Sequence, residues 1–184
     1  LETCPQYLLL TNRDFERVGA AMKVLPPVRT EADRAALVDG LRRGVIGIVS
    51  TDHAPHTDEE KSRGLEEAAA GSPGVQTLYL SCLQIAKALG DIWQAPRWVS
   101  SAPAVFAGLE DSKGAIAPGF DADIVVVNPN ARTRVQPEAM RSRQRRGALD
   151  GREFDFSIEQ VYLRGEPAGD DARGRMVHRA LAAR

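Results

Sequence analysis

The chain crowds its reactive residues into one stretch, Thr51-Asp52-His53-Ala54-Pro55-His56. A carboxylate such as Asp52 can ligate a divalent metal or take a proton from water as a general base. His56 follows four residues later, close enough to share a site. A divalent metal lowers the pKa of bound water towards about 7, and a carboxylate beside it can hold that water and accept its proton. The plainer reading makes Asp52 a helix cap and leaves His53 and His56 as surface histidines. Two histidines around an Ala-Pro turn are not a metal motif by themselves.

The elements around this stretch say where it sits. Residues 45–50 (Val-Ile-Gly-Ile-Val-Ser) are rich in β-branched side chains, the composition of a strand covered on both faces in a parallel sheet. Residues 7–10 are a short apolar run that reads as a further buried strand. Between them, residues 23–29 contain Pro26-Pro27 and form a stiff loop. Thr30 with Asp33 has the spacing of a capping box, and Leu37, Val38 and Leu41 make one apolar helical stripe that stops at Arg42-Arg43-Gly44. Strand, helix and strand in this order predict a βα-repeat architecture. Asp52 then falls at the carboxyl end of a parallel strand, where α/β and barrel enzymes place their chemistry.

Downstream, residues 57–70 read as a mobile charged surface segment and residues 71–74 (Gly-Ser-Pro-Gly) as a turn. Residues 75–89 and 99–109 read as helices. Near residue 112 the character changes. Strands are expected at 124–127, 133–135 and 158–163, the last followed by the turn Arg164-Gly165-Glu166, with a short one at 176–177. Residues 141–153 read as a solvated loop carrying Arg141, Arg143, Arg145 and Arg146. The division is therefore 1–111 and 112–184, the second part a small β module.

The 184 residues include 43% apolar and 27% charged side chains and carry a formal net charge of -1, as a globular protein without a nucleic-acid-binding face would. No apolar run reaches the roughly 18 residues of a membrane span. Cys4 and Cys82 lie in no CxxC pair, so a disulfide framework and a cysteine zinc site are not expected, and a reducing cytoplasm is. Cys82 reads as a small buried hydrophobe. Trp93 and Trp98 read as packing anchors. The chain starts at Leu1 and reads as the interior of a longer protein.

Several segments together resemble the cyclic amidohydrolases, the dihydroorotase, allantoinase and hydantoinase group of the amidohydrolase superfamily. Thr51-Asp52-His53-Ala54-Pro55-His56-Thr57 with Glu59-Glu60-Lys61 resembles the group's signature. Glu2-Thr3-Cys4-Pro5-Gln6-Tyr7-Leu8 resembles its penultimate barrel strand. Pro26-Pro27-Val28-Arg29 resembles its double-proline loop, and the run from Lys113 to Ile124 resembles its C-terminal turn.

The resemblance implies an α/β fold: the C-terminal part of a (β/α)8 TIM-type metal-dependent hydrolase barrel, followed by a small sandwich-like β module. It implies one or two divalent metals, usually zinc, and hydrolysis of a cyclic amide or ureide C–N bond by metal hydroxide. Asp52 matches the ligand that is also the base. His56 matches the histidine that contacts a substrate carboxylate, and Ala70-Gly71 falls where a loop backbone touches the substrate ring. Leu25 stands where dihydroorotases carry an asparagine that bonds the substrate. Gln6 is the hydantoinase-like choice, whereas the Asp-His-Ala-Pro-His run favours dihydroorotase or allantoinase.

The family's His-x-His is missing, and His53, His56 and His178 are the only histidines. Most metal ligands are therefore expected upstream of Leu1. The chain alone is expected to be inactive, with exposed apolar barrel edges, and the whole protein to be a homo-oligomer. The rival expectation is a metal-free, inactive scaffold subunit.

Overall fold

The structure is a computed structural model that describes residues 1–169 and 171–177. The elements run β1 (Glu2–Thr3), α1 (Pro5–Leu9), α2 (Phe15–Val18), α3 (Glu31–Arg42), β2 (Ile48–Val49), α4 (Asp58–Lys61), α5 (Leu78–Ala88), α6 (Gln94–Pro96), α7 (Ala102–Ala107), β3 (Ile124–Asn128), β4 (Thr133–Arg134), β5 (Glu153–Phe154), β6 (Ser157–Leu163) and β7 (Glu166–Pro167). The fold is α/β. Among the described residues, β1 and β2 form one two-stranded parallel pair, Glu2 opposite Ile48 and Thr3 opposite Val49, and no barrel closes.

Helix α3 follows its sequence signals. The Thr30 hydroxyl accepts from the Asp33 N–H, and the Asp33 carboxylate accepts the Thr30 N–H. Gly44 takes φ 70° just beyond the last turn, a conformation open to glycine at little cost. Val45 and Ile46 still donate to the Gly40 carbonyl, so the strand expected over 45–50 narrows to Ile48–Val49. The ladder begins where Gly47 donates to Leu1 and ends where Ser50 donates to Thr3.

The run 7–10 is not a strand: residues 7–9 are helix and Leu10 is its extended cap. Pro5 occupies the first turn, where its fixed φ and missing N–H fit, and Leu8 and Leu10 are fully buried. A short apolar run has the same pattern in either state, and the helix wins here because Pro5 starts it. Residues 71–74 form no turn of their own: Ser72 bridges in parallel to His53, and Gly74 leads into the next 3-10 turn. The expected helix over 99–109 is α7 preceded by a π turn at Arg97–Ser101. Pro103 has no N–H to give the Val99 carbonyl, and the backbone widens there.

Leu8, Leu10, Val49, Cys82, Trp98 and Phe154 belong to one hydrophobic core. Cys82 is buried as expected, and Trp98 is a packing anchor at 3% exposure, but Trp93 is 75% exposed and anchors nothing. Strand β6 pairs antiparallel with β3 and β7, and β4 pairs antiparallel with β5. Arg164 and Gly165, both at positive φ, make the tight turn between β6 and β7, as hairpins of this length require. No strand forms at 176–177, and His178 lies outside the described residues.

The loop 141–153 is not wholly solvated. Ala148 and Leu149 are buried, and the Ala148 N–H donates to the Ser72 hydroxyl at 2.9 Å. A Cβ on Gly147 would come within 2.6 Å of that hydroxyl oxygen. This segment therefore braces the chain just beyond Asp52. No helix among the described residues is long and apolar enough to cross a membrane.

Candidate active site

Parallel pairing of β1 and β2 brings Cys4, just past the carboxyl end of β1, up to Ser50 and the Asp52 backbone. The Ser50 hydroxyl donates to the Glu2 carboxylate at 3.2 Å. Burial pushes the Cys4 thiol up, partly opposed by hydrogen bonds from the Asp52 backbone and Ser50, while the Asp52 and Glu2 charges push it further up. The Tyr7 hydroxyl donates to the Pro26 carbonyl at 2.8 Å. Burial raises its pKa too, and the charges of Cys4 and Asp52 add to this. Asp52 itself is exposed. It does not cap the next helix: the Thr57 hydroxyl does that by accepting from the Glu60 N–H.

The loop beyond Asp52 is tied down by side chains that bond backbone. His53 Nδ1 accepts from the N–H groups of Gly74 and Val75 at 3.1 and 3.3 Å. The Nδ1 lone pair is thus engaged, and the ring's N–H in the neutral form sits on Nε2. Ala54 N–H donates to the Ser72 carbonyl at 3.1 Å. His56 Nε2 donates to the Ala70 carbonyl at 3.0 Å, and its Nδ1 lies 3.5 Å from a Glu60 carboxylate oxygen. Hydrogen bonds from the Thr57 N–H and hydroxyl hold the Glu60 carboxyl below its ordinary pKa, helped by His56.

Gly71 closes this arrangement. Its φ is +149°, and a Cβ there would stand 2.3 Å from the Ala54 carbonyl oxygen and 2.9 Å from the His56 ring. Its N–H donates to the Lys23 carbonyl at 3.0 Å. The structure thus gathers His56, Ala70 and Gly71 into one wall. Leu25 is two residues beyond Lys23 and 65% exposed.

A cavity of about 680 Å³ lies elsewhere, between Tyr79, Val99 and Ala104 on one side and Ile124 and Val125 on the other. Its charged groups are already paired, Lys113 to Asp121 at 2.8 Å and also to Asp123.

The amidohydrolase family profile matches residues 9–168. The chain belongs to the amidohydrolase family. It is 37% identical over 167 residues to an allantoinase of Bacillus velezensis, covering 90% of this chain and 36% of that protein. It is also 37% identical over 144 residues to a dihydroorotase of Geobacillus thermodenitrificans, covering 77% of this chain and 33% of that one. The solved L-hydantoinase (dihydropyrimidinase) of Arthrobacter aurescens superposes with a TM-score of 0.85 at 28% identity, over 95% of this chain and 40% of that chain. The amidohydrolase chain thus spans between a third and two fifths of these relatives.

The family is generally metal-dependent. Among the described residues no three His, Cys, Asp or Glu side chains stand together as a ligand group. Asp52 offers one carboxylate, and His53 and His56 have ring nitrogens committed to backbone.

Four residues at this end of the amidohydrolase were given no role there from sequence. Cys4 and Tyr7 reach it only through the β1–β2 pairing and the turn of α1. His53 is fixed by Gly74 and Val75, 21 and 22 residues away. Lys61 follows two glutamates and reads as solvated, yet it is buried. With Ala68 it makes 57–70 a partly packed segment instead of a mobile surface one.

Proposed function

We propose that this chain supplies the base and part of the substrate wall of a cyclic amide or ureide hydrolase, of the dihydroorotase or allantoinase type. The observation that carries this reading is the placement of Asp52, an exposed carboxylate at the carboxyl end of a parallel strand, beside a loop tied to its own backbone. Asp52 takes a proton from the attacking water as oxygen adds to the ring carbonyl carbon. It returns that proton to the ring nitrogen as the C–N bond breaks, leaving a carboxylate and an open-chain amide or urea.

The wall is formed by His56, Ala70, Gly71 and Leu25. Both His56 nitrogens have protein partners, so a substrate carboxylate takes the place of the Ala70 carbonyl at Nε2. A divalent metal, zinc in our reading, takes one ligand from Asp52 and the rest from barrel strands outside this chain.

The test is turnover by the intact protein on dihydroorotate, allantoin, hydantoin and dihydrouracil. Ring opening of at least one, removed by a chelator and restored by zinc, is expected. No turnover of any of the four by a metal-loaded, folded protein overturns the reading.

A further inference from the structure

Lys61 is 2% exposed. Its ammonium donates to the carbonyls of Lys23 at 3.1 Å, Ala69 at 3.0 Å and Gly71 at 2.7 Å. An ammonium has three donors and no acceptor, so these three oxygens use all of it. Its partners are carbonyls and not a carboxylate, and burial with the nearby Lys23 charge brings its pKa down to about 8, which the Asp150 carboxylate opposes. Burying a charge is costly unless its hydrogen bonds are met. A methionine would fill the same space without that cost. What a methionine cannot do is hold three carbonyl dipoles pointing at one another.

Those carbonyls belong to the segments that carry the substrate wall. Ala69 and Gly71 flank Ala70, and Lys23 stands two residues before Leu25. The Lys23 carbonyl also takes the Gly71 N–H, and the Ala70 carbonyl takes His56 Nε2. Remove the ammonium and the Ala69 and Gly71 carbonyls lose this donor, while the Lys23 carbonyl keeps only the Gly71 N–H.

We propose that Lys61 is a positioning residue for substrate: its buried ammonium clamps the 23–25 and 69–71 segments together and so sets the distance between Leu25 and the His56–Ala70–Gly71 wall. The inference rests on the reading that this wall faces the substrate. Lys61 touches no reacting atom, and its effect is on binding that is equal in ground and transition states.

The experiment compares Lys61→Met with wild type in the intact protein, by steady-state kinetics and by hydrogen exchange of residues 69–72. The expected result is KM raised about tenfold with kcat within about threefold, and faster exchange at 69–72 with unchanged exchange at Val125–Val127. Unchanged KM in an active protein overturns the proposal, as does a fall in kcat with KM constant. If no ring substrate turns over, the functional reading fails, but the clamp is still tested: unchanged exchange at 69–72 overturns it and locally faster exchange supports it. If Lys61→Met does not fold, wild type is compared at pH 7 and pH 9.5. The neutral amine has two donors for three carbonyls, so exchange at 69–72 should rise relative to Val125–Val127, and a constant ratio overturns the clamp.

Discussion

Two regions of this molecule are held by different means. The β3–β6–β7 sheet is held by backbone bonding to backbone, and Val125, Val126 and Val161 on it are left exposed. The loop from Thr51 to Gly74 has no ladder, only the short α4, scattered backbone bonds such as Ala69 N–H to Glu60 and Gly71 N–H to Lys23, and an isolated bridge at His53–Ser72. Side chains bonding backbone tie these pieces together: His53 to Gly74 and Val75, His56 to Ala70, Lys61 to three carbonyls. A ladder is indifferent to most side chains on it. A loop built from side-chain bonds depends on each residue type, and it can fix backbone groups at spacings that no regular element offers. That is the kind of support a substrate wall needs.

The largest expected effect lies at Gly71. Gly71→Ala meets the Ala54 carbonyl and takes a strained φ, and should cost about 3 kcal/mol. Gly119→Ala, also at positive φ but with open space around it, should cost about 1 kcal/mol. Urea midpoints of the two variants measure the difference. Equal costs would mean that the loop yields as easily as an exposed turn.

Next is His53. His53→Ala leaves two backbone N–H groups without their acceptor and should cost about 1–2 kcal/mol. Val126→Ala on the sheet should cost about 0.5 kcal/mol. Thermal melting of both sharpens the contrast, and a larger loss at Val126 would reverse it.

The smallest effect is with acid. The carboxyl of Glu60 is held below its ordinary pKa by Thr57, and that of Asp33 by Thr30. A lowered folded pKa means that the cap contributes above the unfolded value of about 4 and fades as pH falls through the folded one. Fluorescence-monitored stability between pH 5 and pH 2 should fall, and Thr57→Val should flatten the part due to α4. An unchanged slope in Thr57→Val would show that the cap adds nothing to the loop.

The same contrast explains what could be read from the sequence. The capping box at Thr30, the apolar α5, the strands β3 and β6 and the turn at Arg164-Gly165 have local signals, and the structure follows them. The Asp52–His56 run stands out in the sequence as a candidate because its polar residues are adjacent, though the bonds of His53 do not. Residues 7–10 misled because an apolar run serves a helix or a strand equally, and only Pro5 decides. Lys61 was hidden because its partners at 23, 69 and 71 come together only after folding. His53 was hidden for the same reason, since a histidine that accepts from a distant helix start looks like any surface histidine.

The most direct test of the account is turnover by the intact protein carrying Asp52→Asn, which keeps the shape at the strand end and removes the base. The account predicts a fall of about 10³-fold in kcat/KM with the fold and the exchange pattern of 69–72 unchanged. Activity within about tenfold of wild type would show that Asp52 does not move the proton, and the site would have to be sought elsewhere in the chain.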